Sequence, residues 1–297
     1  MSSIAIRPIG ITEKRRPLFF FHMPKTGGRT VEQHLLKTAG PAALYHPKRN
    51  RRFYTALLAM KVGHPSPPRG RHVVGHFASL SLIKNEERDH LKVCFWRHPS
   101  DWMLSLYNYR LHRNAHRIYR PFTFLDFRRS MLRNPMTEHF LLHCGDVPGL
   151  KYFFMSDARK FARALRLARK FDRFDDIRSV SSVLRMLDAG GAAITDYNRI
   201  SDTDKHIGFL DASVRAHIKH TNRVDYLLHQ LALTGNVDAV VAEARIALNR
   251  RFEARDVLRL ATLPYYRIKT WVLPFIPPLR EWKLVIAGLR ETSSDSP

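Results

Sequence analysis

The chain reads as α/β with a central parallel sheet. Two short runs, Leu18-Phe19-Phe20-Phe21 and Leu91-Lys92-Val93-Cys94-Phe95-Trp96, have the length and aromatic content of buried strands. Each gives way to a polar corner and then to apolar residues at helical spacing, Val31, Leu35 and Leu36 after the first, Met103, Leu106 and Tyr107 after the second. With 297 residues, the chain is long enough for one large α/β domain plus an extension.

The first corner is His22-Met23-Pro24-Lys25-Thr26-Gly27-Gly28-Arg29-Thr30. Pro24 cannot donate to a sheet ladder, so it marks the end of the strand. Strand, glycine-containing loop and helix together make the sequence shape of an anion cradle. Gly27 and Gly28 let backbone amides approach a ligand, and the helix start adds unpaired N–H groups and the positive end of its dipole. Lys25 and the hydroxyls of Thr26 and Thr30 complete a pocket for a phosphate-like group. The bland alternative is an ordinary surface turn. A nucleoside-triphosphate loop fits poorly, because its lysine follows the last glycine, whereas Lys25 precedes both.

The second corner is Arg97-His98-Pro99-Ser100-Asp101. Ser100 is a natural helix cap and Asp101 puts negative charge in the first turn. Arg97 stands at a strand end, where open α/β sheets bind ligands. Its forked donors and the Ser105 hydroxyl can hold one phosphate between them.

Composition sets the partners. Lys and Arg number 50 against 26 Asp and Glu, a formal charge of +24. Such a field favours polyanions: nucleic acid, anionic lipid, acidic nucleotides or glycans, although a merely basic, solvated surface explains many of the individual residues. Two cysteines, Cys94 and Cys144, argue against a disulfide framework, and neither has metal-site spacing. No signal peptide is evident in residues 1–16, and no run of eighteen apolar residues offers a membrane span. The expected location is cytoplasmic.

The two corners carry a resemblance. The chain resembles the sulfotransferases that use 3′-phosphoadenosine 5′-phosphosulfate (PAPS), in the branch that includes bacterial and Golgi carbohydrate sulfotransferases. His22 to Thr30 is similar to that family's F-x-H-x-P-K-T-G-G-T loop, and Arg97-His98-Pro99 through Ser105 to its R-[DH]-P-x-x-x-x-x-S. The resemblance implies a P-loop-like, three-layer domain. It implies that Lys25, Thr26, Gly27, Gly28, Arg29 and Thr30 hold the 5′-phosphosulfate, and that Arg97 and Ser105 hold the 3′-phosphate. Gly75-His76 stands between the two corners, as a similar Gly-His does in related carbohydrate sulfotransferases, and implies His76 as catalytic base with Lys25 as catalytic cation. Without the family, His76 is one of sixteen histidines and by default structural. Arg29 departs from the usual Thr or Ser, and either touches the sulfate or points to solvent. The implied acceptor is a carbohydrate or glycolipid hydroxyl, with adenosine 3′,5′-bisphosphate as product, no metal and no nucleic-acid partner. The other classes are an ATP-dependent kinase on a related scaffold and a basic nucleic-acid binder.

Between the motifs the chain is read more coarsely. Residues 41–71 carry Pro41, Pro47, Pro65, Pro67 and Pro68, expected as an irregular loop around one short helix at Phe53–Lys61. Asn134 to Leu141 is similar to a family segment N-x-x-T-R-x-L, except that Glu138 replaces the arginine. Asp157–Phe171 is an amphipathic helix with Phe161, Leu165, Ala168 and Phe171 as its apolar stripe. Phe174–Ile177 reads as a strand, Val180–Leu187 as a helix, and Tyr197–Ser201 as a loop over the nucleotide. Leu210–Leu233 reads as closing helices, with Asn222 and Asp225 structural. We therefore set the domain at 1–233 and a helical, basic-aromatic extension at 234–297. Val237–Leu260 is helical by pattern. Residues 263–284 mix Tyr265, Tyr266, Trp271 and Trp282 with Arg267, Lys269 and Lys283, which suits either an anionic bilayer surface or packing on the domain or on a dimer partner.

Overall fold

A computed structural model describes residues 16–47, 67, 69–85, 89–113, 122–147, 151–152, 154–187, 210–248, 262–263 and 265. The helix expected at Phe53–Lys61, the loop Tyr197–Ser201 and nearly all of the aromatic-cationic tail lie outside them.

Five strands form one all-parallel sheet: β1 (Leu18–Phe21), β2 (Leu44–Tyr45), β3 (His72–Gly75), β4 (Leu91–Trp96) and β5 (Arg173–Asp176), in the order β2-β3-β1-β4-β5. Every residue of β1 and β4 is buried, as a parallel sheet covered on both faces requires. The described start of the Pro-rich stretch departs from an irregular loop, because Leu44-Tyr45 adds the edge strand β2 beside β3. Two residues are too few to show a period, so only the pairing reveals it.

Helices cover both faces. On one, Leu18, Phe20, Val74, Val93 and Phe95 pack against Val31 and Leu35 of α1 (Gly28–Ala39) and against Val183 and Leu184, far along the chain. On the other, Phe19 meets Phe171, Phe21 meets Phe140, and Trp96 lies between Phe140 and Phe174. Ring-on-ring contact follows from the aromatic content of β1 and β4, since each fully buried ring removes a large apolar area from water.

The remaining helices are α2 (Pro99–Arg113), α3 (Phe124–Arg129), α4 (Pro135–His139, continued by a π-helical turn Phe140–Cys144), α5 (Asp157–Ala168), α6 (Val180–Leu187), α7 (Ala212–Thr221), α8 (Arg223–Thr234) and α9 (Val237–Ala247). The expected helices at 157–171, 180–187 and 210–233 are present, the last as two, because Asn222 leaves helical geometry at φ −126°, ψ 46°. Of the expected 237–260 helix, 237–247 is helical. The chain divides into two compact units, Met1–Leu106 with Arg133–Ser201 and Phe209–Arg251, and Tyr107–Leu132 with Asp202–Gly208 and Phe252–Pro297. The first holds the whole sheet; in the second, Tyr107 packs on Phe122, Phe124 and Phe127. Cys94 and Cys144 are buried and free. No helix among the described residues is long and apolar enough to cross a membrane.

A buried polar knot ties α4 to α8. The Asn134 N–H donates to Asn222 Oδ1 (2.8 Å) and the Val224 N–H returns a bond to Asn134 Oδ1 (3.0 Å). Asp225 accepts from the Met136 and Thr137 N–H groups and from the Thr137 hydroxyl (3.2, 2.8 and 2.5 Å). The two Asn-containing segments noted in the sequence are thus partners of one another, and Asp225 serves the N–H groups that open a five-residue helix.

Candidate functional site

The corner after β1 and the corner after β4 stand side by side, because those strands are hydrogen-bonded neighbours in register from Leu18↔Leu91 to Phe21↔Cys94. From β1 the chain leads to one edge of the sheet through α1 and β2. From β4 it leads to the other edge at β5. The order therefore reverses between β1 and β4, the kind of switch point at whose carboxyl ends open α/β sheets bind ligands.

Two bonds lock the corners together. Arg97 donates from Nη1 to the Lys25 carbonyl (3.2 Å), and Trp102 Nε1 donates to the Pro24 carbonyl (2.6 Å). Lys25 and Arg97, 72 positions apart in sequence, share one site. Ser105 is part-exposed and one turn beyond Trp102, on the same side of α2. Trp102 was missed by sequence reasoning.

The loop is built for close approach. Lys25 has φ 63° and Gly27 φ 76°, both left-handed, a conformation costing a non-glycine residue about 1–2 kcal/mol. Helix α1 has no side-chain cap and no acidic residue in its first turn, so its positive end faces the loop uncompensated. Thr26 departs from expectation. Its hydroxyl donates to the Met23 carbonyl (2.7 Å), its N–H goes to the same oxygen (3.3 Å), and it is fully buried. It closes the loop rather than presenting a hydroxyl to a ligand. Thr30 is buried in the first turn of α1, whereas Arg29 is exposed.

Cations crowd this corner. Burial, with the nearby Arg97 and Arg29 charges adding to it, brings the Lys25 ammonium down to about 8. Burial also lowers the Arg97 guanidinium, opposed by Asp101 and Asp176. Mutual repulsion among half-buried cations is relieved by an anion, which makes the site complementary to one. Asp176, at the end of β5, accepts from His229 Nε2 (3.0 Å) and from the Arg178 N–H and Nε–H (3.0 and 2.6 Å). Burial alone would raise its carboxyl, but these bonds hold it at about 2.

His76 lies just past β3. The β1–β3 register runs Phe19↔Val73, Phe20↔Val74 and Phe21↔Gly75, so the next pair across the sheet is His22 and His76. Their rings stack at 4.0 Å with 27° between planes, and His76 Nδ1 is 2.6 Å from the His22 carbonyl oxygen. A carbonyl only accepts, so Nδ1 carries the hydrogen and Nε2 holds a lone pair. Burial lowers the His76 imidazole, partly offset by that carbonyl and by Glu32, leaving the ring neutral at neutral pH. His139 and His143 extend the group, with ring centroids 6.2 Å from His76 to His139 and 4.5 Å between the two. His22, His139 and His143 were missed as a cluster with His76, since His22, His76 and the His139/His143 pair stand 54 or more positions apart along the chain. The sheet register is the signal that finds the first pair. Among the described residues no three His, Cys, Asp or Glu side chains are arranged to hold a metal ion.

No family model, curated protein or solved structure matches the chain.

Proposed function

We propose that the protein is a PAPS-dependent sulfotransferase acting on a hydroxyl of a carbohydrate or glycolipid, on a sheet whose glycine-bearing first corner is P-loop-like. One observation carries the reading: Lys25 and Arg97 meet at neighbouring strand ends, with Arg97 bonded to the Lys25 carbonyl. A donor bearing phosphates at two ends needs two cationic corners, and a triphosphate loop with its lysine after the glycines is not what this chain has.

In this reading Lys25, the amides at Gly27 and Gly28 and the Thr30 hydroxyl bind the 5′-phosphosulfate, with Arg29 at the solvent edge. Arg97 and Ser105 bind the 3′-phosphate. His76 Nε2 takes the proton of the acceptor hydroxyl as its oxygen bonds to sulfur. The bond from sulfur to the bridging oxygen breaks, and adenosine 3′,5′-bisphosphate leaves with the electron pair. Lys25 neutralises the charge growing on that oxygen, the electrostatic stabilisation that dominates transfer of anionic groups.

A thermal-shift screen tests the reading. Adenosine 3′,5′-bisphosphate at 100-fold over its Kd should add about 2.7 kcal/mol of apparent stability. A larger shift with ATP and Mg²⁺ points instead to the kinase, and one with an oligonucleotide to the nucleic-acid binder. Arg97→Ala should weaken the bisphosphate by about 10- to 100-fold, the worth of a charged hydrogen-bonding pair, with kcat little changed.

The pH dependence has a definite sign. Below about 8 Lys25 is protonated before any ligand arrives; above it, binding an anion must draw a proton onto the amine. Affinity for the bisphosphate should therefore be flat below that pH and fall by up to about tenfold per pH unit above it. Isothermal titration across pH 7–10 measures this, and Lys25→Arg should remove the fall.

A further inference from the structure

We propose that His22 is the positioning residue for His76: its ring, held between the backbone of the anion cradle and the His76 imidazole, fixes the orientation of the base. The inference rests on the sulfotransferase reading for its catalytic meaning and on geometry for its substance.

The geometry has two sides. On one, the ring lies directly on α1: a Cβ built at Gly28 would come within 1.9 Å of His22 Cδ2 and Nε2. Gly28 is therefore glycine because His22 occupies the space of a side chain, a reason independent of any ligand. On the other side is the stacked His76 ring, whose Nδ1–H is taken by the His22 carbonyl. One residue thus holds the base by its backbone and by its ring, and touches the first turn of the cradle helix. Phe20 stacks behind it, 5.8 Å away.

The titratable groups around His76 come from three directions. His22, itself beside Lys25, faces it from the β1 corner, Glu32 from α1, and His139 with His143 from α4 and the π-helical turn. His139 Nε2 is buried with no hydrogen-bond partner. Burial lowers His22 and His139 further than His76, with repulsion between neighbouring imidazoles added, while the His22 carbonyl and the Glu32 carboxylate partly offset burial at His76.

Full-length protein labelled with ¹⁵N-histidine tests the proposal without turnover. The His76 signal is assigned by its loss in His76→Ala. The wild type should show the Nδ1–H tautomer and a titration midpoint below the ordinary range. His22→Ala, or His22→Asn should that variant fold better, keeps the backbone carbonyl and loses the stacked ring, so the His76 ring should turn off that carbonyl, its tautomers should mix and its midpoint should rise toward the ordinary range. His22→Phe, which keeps the flat ring, should behave as wild type. No change in the first pair, or a Phe variant resembling Ala, overturns the proposal. Melting gives an independent arm: Gly28→Ala should lower Tm strongly alone and weakly in the His22→Ala background, and an equal loss in both overturns it. With PAPS, His22→Ala should lower kcat by about 10- to 100-fold and leave KM for PAPS unchanged. Absence of transfer by the wild type would defeat the functional reading alone, since tautomer and melting readouts do not depend on it.

Discussion

His76→Ala should lower kcat for sulfuryl transfer by about 10²- to 10⁴-fold, the usual contribution of a placed general base, while binding adenosine 3′,5′-bisphosphate as wild type does. The reason is the division of labour between corners. His76, the proposed base, stands past β3 and is held by the His22 carbonyl, whereas Lys25 and Arg97, the proposed nucleotide cations, stand past β1 and β4. Lys25→Ala should behave differently, losing transfer and nucleotide affinity together, because the proposed reading gives Lys25 both binding and the leaving oxygen. Single-turnover transfer measured beside calorimetric binding separates the two patterns. Full transfer by His76→Ala would show that another group takes the proton, and loss of binding in that variant would show that the corners are not separable.

Asp225→Ala should cost about 3–5 kcal/mol of stability, since it strands two buried backbone N–H groups and a hydroxyl that all donate to one carboxylate. A melting temperature lower by roughly 10 °C is the expected reading. Asp225→Asn, which keeps one acceptor oxygen, should cost less. The pH dependence adds a second check. Burial pushes the Asp225 carboxyl up to about 7 in spite of its three donors. Between the ordinary carboxylate range and that value the folded chain holds a proton that the unfolded chain has released, so this group makes stability fall as pH rises. Urea titrations at several pH values should show the slope in the wild type and its loss in Asp225→Asn.

The two corners were legible because each is local: strand, turn and helix within about twenty residues, with Gly27, Gly28 and Pro24 stating where the strand stops. The polar knot was half legible. Asn134, Thr137, Asn222 and Asp225 all stood out in sequence, but their bonds span 88 to 90 positions and nothing local says that they face one another. Thr26 was misread for a related reason. A threonine beside a glycine pair looks like a ligand donor, and whether its hydroxyl turns outward or back to Met23 is a matter of one side-chain rotamer. The edge strand β2 went unseen because two residues have no period.

What the sequence alone determined was the kind of chemistry at each corner: a glycine loop with a lysine before it, an arginine at a strand end, and a strongly basic chain to draw an anion in. What only the tertiary structure decided was which corners meet. The strand order β2-β3-β1-β4-β5 sets β1 between β3 and β4, and that one placement brings His22 against His76 on one side and Lys25 against Arg97 on the other. The physical reason is that backbone pairing across a parallel sheet is decided by long-range burial of both faces, which no local spacing encodes.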